Sequence, residues 1–333
     1  MTNRFKIFLV VFVLSLPFWW GMNILAGSLE DFWFWDEMAK NPQIFIAQVR
    51  PFEIKAEEKQ NIESQAEELK PVKTFVDDLT IRAKAAISVE IDSKGQESIL
   101  FEKKSQNPLP IASLTKLMTA LVIFDLGETY IPFQLIPITK TAVGQEGSSK
   151  YGELKEKEYF SVEVLVHVML IESSNDAAYA LTELIGVEGF VGLMNLYAKD
   201  IGLENTKFIN STGLEPNNPG ESRNYSTPQD LVKLTKYILK THPRIFEITN
   251  KDSYQVLNPD GSVHHFIPRN TNKLLREIPE IFGGKTGWNP VSQGCLLLVL
   301  DNPSKNSYFV NIVLGAGDRF EEMRKLIKLT NDK

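Results

Sequence analysis

Strand-like segments stand at the two ends of the body of this sequence, and the helix-like segments lie between them. Near the start, AAISVEI (85–91), the turn formers Asp92-Ser-Lys-Gly95 and the segment SILFE predict two short strands joined by a hairpin. Near the end, CLLLVL, a turn at Asp301-Asn-Pro-Ser304 and YFVNIVLG predict two more, followed by an amphipathic helix from Arg319. Apolar spacing in between predicts helices at 113–126, 161–171, 175–186, 187–200 and 228–240, the last opened by Ser226-Thr227-Pro228. A further hairpin is expected around Asn258-Pro-Asp-Gly261. Strands need partners for their backbone groups, and here the partners come from distant parts of the chain. The expected fold is therefore α+β, an α/β sandwich in which an antiparallel sheet from both chain ends carries a helical subdomain. No internal repeat, low-complexity tract or glycine-rich phosphate loop interrupts this plan.

Length alone, 333 residues, argues for about two domains. The N-terminus argues against it. After Arg4 and Lys6 no charged residue occurs until Glu30, and the run between them is IFLVVFVLSLPFWWGMNILAGSL. As a helix at about 1.5 Å per residue this run matches the roughly 30 Å hydrocarbon core of a bilayer. Two readings fit, an uncleaved signal anchor and a signal peptide cut after Ala26 or Gly27; the bulky Ile24 or Leu25 at the −3 position favours the anchor. Arg4 and Lys6 ahead of the run, with no further Lys or Arg until Lys40, place the short N-terminus in the cytoplasm and the body outside. Four of the five tryptophans, Trp19, Trp20, Trp33 and Trp35, fall where a membrane interface would be. Residues 53–70 are charged and lack aromatics, as expected of a solvated stalk. The expected organisation is a signal-anchor segment at 1–30, a juxtamembrane region and stalk at 31–74, and one catalytic domain at 75–333, held at the cytoplasmic membrane by a single pass.

Hydrophobic residues make up 43% and charged residues 23% of the chain, and a mean hydropathy of -0.14 excludes a polytopic membrane protein. A formal charge of -6 provides no basic footprint for nucleic acid. The single cysteine, Cys295, cannot form an intramolecular disulfide and starts an apolar strand, where it reads as a small buried hydrophobe.

Chemistry enters at Ser113-Leu-Thr-Lys116. Three residues apart on a helix, the two side chains share a face, and the surrounding helix is apolar all round. A lysine in such surroundings loses ammonium solvation, so its pKa falls and its amine becomes available as a base for Ser113. Backbone N–H groups at the helix start can also stabilise an oxyanion. Such a spacing arises by chance about once in a chain of this size, so on its own it decides little. Ser173-Ser174-Asn175 follows between two helices, although S-x-N also occurs at Ser105, Ser222 and Ser304 in turn-like settings. The chain's one Lys285-Thr286-Gly287 precedes Trp288 and suits a carboxylate, with glycine allowing close approach of a substrate backbone.

In this order S-x-x-K, S-x-N and K-T-G are the signatures of the active-site serine penicillin-recognising enzymes. The sequence resembles the low-molecular-mass D-alanyl-D-alanine carboxypeptidases of the S11 serine peptidase family over about residues 80 to 330. The likeness extends to Met194-Asn195, Ala198, Gly202-Leu203, Thr206, Phe208, Asn210 and Gly213-Leu214, and to Asn270-Thr-Asn272 with Leu274-Leu275. The resemblance implies a β-lactamase/DD-peptidase-like fold. It also implies roles: Ser113 as nucleophile, Lys116 as general base, and Ser173 as proton relay to the leaving D-alanine. Asn175 would hold the substrate peptide, Lys285 and Thr286 its terminal carboxylate, and the N–H groups of Ser113 and Trp288 the oxyanion. The implied reaction releases D-alanine from peptidoglycan stem peptides ending in D-Ala-D-Ala, with β-lactams as covalent inhibitors and no cofactor or metal.

The family continues after K-T-G with an aromatic, a threonine and an Ala-Gly pair, whereas this chain reads Trp288-Asn289-Pro-Val-Ser292-Gln293-Gly294. An endopeptidase, a β-lactamase or a catalytically weak wall-binding scaffold would share much of the pattern, though no E-x-x-L-N-like glutamate of a β-lactamase lies between the second and third motifs. Of the four histidines, His167 reads as a core or helix-surface residue. His264 and His265, adjacent on a strand, should face opposite sides and give no metal site with His242. Asp125 and Glu128 read as a solvated helix end.

Overall fold

The structure, a computed structural model, describes residues 80–145, 153–216 and 220–331. The charge-free N-terminal run, the stalk and the boundaries at 30 and 74 lie outside the described residues. The described chain begins with β1 (Ala85–Ile91), β2 (Glu97–Lys103), β3 (Leu109–Pro110), α1 (Thr115–Asp125), β4 (Leu135–Pro137), α2 (Lys140–Val143) and β5 (Tyr159–Ser161). It continues through α3 (Val162–Ile171), α4 (Asn175–Glu183), α5 (Val187–Ile201), β6 (Tyr225–Ser226), α6 (Pro228–Thr241) and α7 (Arg244–Thr249). It closes with β7 (Tyr254–Leu257), β8 (Val263–Ile267), β9 (Ile281–Asn289), β10 (Gln293–Asn302), β11 (Ser307–Ala316) and α8 (Arg319–Asn331).

Five strands form the central antiparallel sheet in the order β2, β1, β11, β10, β9, as the sequence predicts for a sheet built from both ends. Its central seam pairs Ala85 with Leu314 and Ile91 with Tyr308. Strand alternation divides the side chains between two layers. Leu296, Leu298 and Leu300 of β10, with Ala86 and Val313, pack on Met323, Leu326 and Ile327 of α8. Burial of each of these leucine, valine, isoleucine and methionine side chains is worth about 1.5–3 kcal/mol. Leu297 and Val299 face the other layer, where α6 lies against β1 and β11. Thr227 starts α6 by accepting a hydrogen bond from the Asp230 N–H, with Pro228 in the first turn. Between the sheet and the remaining helices runs α1, buried continuously from Thr115 to Ile123.

The predicted helices and both hairpins are present, and four differences matter. The turn at Ala112–Leu114 is a 3-10 turn, so Ser113 precedes the α-helix proper. Lys285-Thr286-Gly287 lies in an edge strand, β9, that the strand pattern does not announce as an element; its glycines weaken the strand signal. His264 and His265 do not point apart: their Nδ1 atoms are 2.6 Å from each other, and His264 Nε2 reaches Glu158 at 3.2 Å. The β7–β8 ladder shifts register beside them, which breaks simple alternation. Asp125 is no merely solvated helix end, because it hydrogen-bonds His242 and Tyr197 across three helices.

Candidate active site

Five of the seven predicted residues meet through side-chain contacts around two buried lysines. Lys116 Nζ lies 3.0 Å from Ser113 Oγ and donates to Asn175 Oδ1 at 2.6 Å and to the Thr212 carbonyl at 2.7 Å. Lys285 Nζ lies 2.9 Å from Ser173 Oγ and 3.1 Å from the Thr286 carbonyl. Both lysines are sealed from solvent. Burial, reinforced by the positive charges of Lys116 and Arg319, holds the Lys285 ammonium well below the ordinary lysine range.

Each serine sits in backbone that the sequence must force. Ala112, just ahead of Ser113, has φ of 45°, and Ser173 has φ of 71°, values that side chains other than glycine adopt at a cost of order 1–3 kcal/mol. Gly213, at φ of 87°, passes so close beneath the strained turn that a Cβ there would stand 2.0 Å from the Ala112 carbonyl oxygen. The residue after Ser173 explains the second motif. Ser174 caps α4, its hydroxyl accepting from the Ala177 N–H, and this puts Asn175 in the first helical turn with its amide against Lys116.

The edge strand completes the site. Thr286 is buried and its hydroxyl donates to Thr271 Oγ1 at 2.7 Å. A Cβ on Gly287 would come within 3.1 Å of Ser113 N, so glycine there lets the strand approach the Ser113 backbone N–H. The Trp288 backbone follows immediately, beside the expected oxyanion position, while its side chain is 60% exposed.

Several residues that hold this arrangement lie outside the three short motifs, Asn210, Gly213 and Leu214 among those that carry the wider likeness. Asn210 Oδ1 accepts from the N–H of Gly213, and its Nδ2 donates to the Leu214 carbonyl, which shapes the turn presenting the Thr212 carbonyl to Lys116. Asn224, part of a chance-looking S-x-N, is buried; it donates to Thr115 Oγ1 and Asn210 O and accepts from Ile209 N. Arg319 at the start of α8 reaches the surroundings of Lys285, and its buried Nε has no hydrogen-bond partner among the described residues. Asn289, at the place where the resemblance leads one to expect threonine, donates to Glu215 and accepts from the N–H groups of Val291 and Ser292.

A model of the family described as D-alanyl-D-alanine carboxypeptidase matches residues 72–317. The chain belongs to peptidase family S11. Among curated S11 relatives, the D-alanyl-D-alanine carboxypeptidase DacF of Bacillus subtilis is 30% identical over 257 residues, 76% of this chain; the match spans 62% of that protein's length. A D-alanyl-D-alanine endopeptidase of Haemophilus influenzae is 34% identical over 215 residues, 63% of this chain and 68% of its own. Penicillin-binding protein D2 of Listeria monocytogenes, solved in its ampicillin-bound form, is similar at a TM-score of 0.65 and 28% identity, over 76% of this chain and 99% of that one. A point mutant of the Streptomyces K15 DD-transpeptidase gives a TM-score of 0.66 at 25% identity, over 77% and 100% of the two chains. The S11 fold is thus that of the low-molecular-mass penicillin-binding proteins, as the sequence led one to expect.

Proposed function

We propose that this S11 protein is a serine D-Ala-D-Ala carboxypeptidase that removes the terminal D-alanine from peptidoglycan stem peptides. The observation that carries the reading is the set of contacts around Lys116. Asn175 Oδ1 and the Thr212 carbonyl can only accept hydrogen bonds. A neutral amine has two hydrogens and one lone pair, so with both hydrogens engaged by these carbonyls the lone pair is left for the Ser113 hydroxyl. Lys116 Nζ then takes the Ser113 proton as Oγ attacks the scissile carbonyl. The developing oxyanion lies against the N–H groups of Ser113 and Trp288. As the C–N bond breaks, the proton passes from Lys116 through Ser173 to the D-alanine amine. Water, deprotonated by the same amine, hydrolyses the acyl-enzyme and regenerates Ser113. Lys285 and the Thr286 hydroxyl hold the terminal carboxylate, and β-lactams enter as acylating analogues.

Labelling with a fluorescent penicillin tests the nucleophile. Wild type takes up label and Ser113→Ala does not; label on Ser113→Ala, or none on wild type, overturns the assignment. The similarity to a D-alanyl-D-alanine endopeptidase supports a second reading, cleavage of D-alanyl cross-links. Digestion of purified muropeptides separates the two, since free D-alanine marks the carboxypeptidase and split dimers the endopeptidase. The charge-free run after Lys6 supports attachment to the cytoplasmic membrane with the catalytic domain outside. Intact mass of the mature protein tests it: loss of about the first 26 residues would replace the anchor by a cleaved signal.

A further inference from the structure

Thr271 stands where the Ser173 loop meets the edge strand. Its backbone N–H donates to the Ile171 carbonyl at 3.2 Å, and its hydroxyl lies 3.5 Å from the same oxygen. Ile171 ends α3 and lies two residues ahead of Ser173. On its other side Thr271 Oγ1 accepts the 2.7 Å bond from the Thr286 hydroxyl. The chain around it is pinned. Asn270 Nδ2 donates to the carbonyls of Thr249 and Lys251, and Asn270 Oδ1 accepts from the Asn272 N–H. Thr249 in turn accepts from the N–H of Gly284 in β9. Thr271 is therefore fixed relative to both walls of the site.

The hydroxyl hydrogens decide what such a residue can do. A carboxylate only accepts, so to bind one the Thr286 hydroxyl must turn its hydrogen away from Thr271. The 2.7 Å contact survives that turn only if Thr271 supplies a hydrogen in the reverse direction. Its hydroxyl is able to do so, because its bond to Ile171 O is at the long limit and weak. We infer that Thr271 is a positioning residue for the substrate's terminal carboxylate, holding Thr286 Oγ1 through a hydrogen bond that reverses direction when the carboxylate arrives. This rests on the carboxypeptidase reading above.

The experiment compares kcat and KM of wild type, Thr271→Val and Thr271→Ser on an N-acylated tripeptide ending in D-Ala-D-Ala and on its C-terminal methyl ester. Valine keeps the shape and removes the hydroxyl, so KM for the free acid rises roughly 10-fold, the size of a hydrogen bond to a charged group, with kcat within about 2-fold. The preference for acid over ester falls by the same factor, and serine restores both. Should the valine variant fail to fold, Thr271→Cys, whose thiol is a poor donor, is put through the same comparison and loses the same preference. An unchanged acid KM, or an equal loss on acid and ester, overturns the inference while leaving the carboxypeptidase reading in place. A wild type that releases no D-alanine overturns both.

Discussion

Lys116 and Lys285 place Nζ 3.0 and 2.9 Å from a serine hydroxyl, yet the regions that carry them are built differently. Lys116 projects from α1, an apolar helix buried along nearly its whole length, and two carbonyl oxygens orient its amine. Lys285 projects from an edge strand with glycines at 283, 284 and 287, and the positive charges of Lys116 and Arg319 both act on it. The first region fixes the direction of a lone pair. The second concentrates positive charge in a place short of negative partners, which suits an anion brought in by a substrate. Under the proposed function one arrangement would serve proton transfer and the other recognition, and this division can be broken from either side.

The largest effect is expected at Lys116. Lys116→Met keeps length and apolarity but removes the proposed base, and acylation by a fluorescent penicillin should slow at least about 1,000-fold in a stopped-flow measurement. Gly213→Ala attacks the support of the same region. It sets a Cβ against the Ala112 carbonyl at a positive φ, and urea denaturation should show a loss of about 2–4 kcal/mol. Lys285→Met should act on recognition, lowering kcat/KM for a D-Ala-D-Ala peptide roughly 10- to 100-fold, mainly through KM. Removing this lysine should also stabilise the fold near neutral pH. In the unfolded chain the amine keeps its proton up to its ordinary pKa of 10.5, whereas burial and the neighbouring cations oppose that proton in the fold. Between the lowered value and 10.5 the unfolded state binds more protons, so wild-type stability rises with pH through this window. The advantage of Lys285→Met in urea midpoint should therefore shrink as pH rises toward 10.5, and a constant advantage would refute the lowered pKa. The smallest effect belongs to Trp288→Phe, less than about 3-fold in kcat/KM, because the proposed role belongs to the backbone N–H and the ring is largely exposed.

What the sequence made legible is side-chain chemistry at close spacing. Ser113 with Lys116, Ser173 with Asn175, and Lys285 with Thr286 each sit within four residues of a partner, and the apolar patterns around them place helix and strand. The sheet built from both ends was readable for the same reason, since long apolar strands leave strong patterns. The supports were not readable. The Thr212 carbonyl carries no residue signature, and Asn224 reaches Thr115 across a separation of 109 residues. Thr271 belongs to a run that resembles the family, yet neither it nor Arg319 carries a local pattern beyond a loop and a helix start that would tell its contacts. Short elements such as α2 and α7 hold their shape through contacts with neighbours rather than through propensity.

The seam between β1 and β11 also governs time. Ala85 waits for Leu314, so nearly all of the described chain must exist before the middle of the sheet can close. Pairings of such separation are slow to find, and synthesis delivers the chain from its N-terminal end. The edge strand that brings Lys285 to Ser173 joins the sheet only through β10, which itself pairs with β11. A nascent chain therefore carries Ser113 and Lys116 long before β9 can bring Lys285 to Ser173, and the proposed site stays unfinished on that side until its last strand arrives.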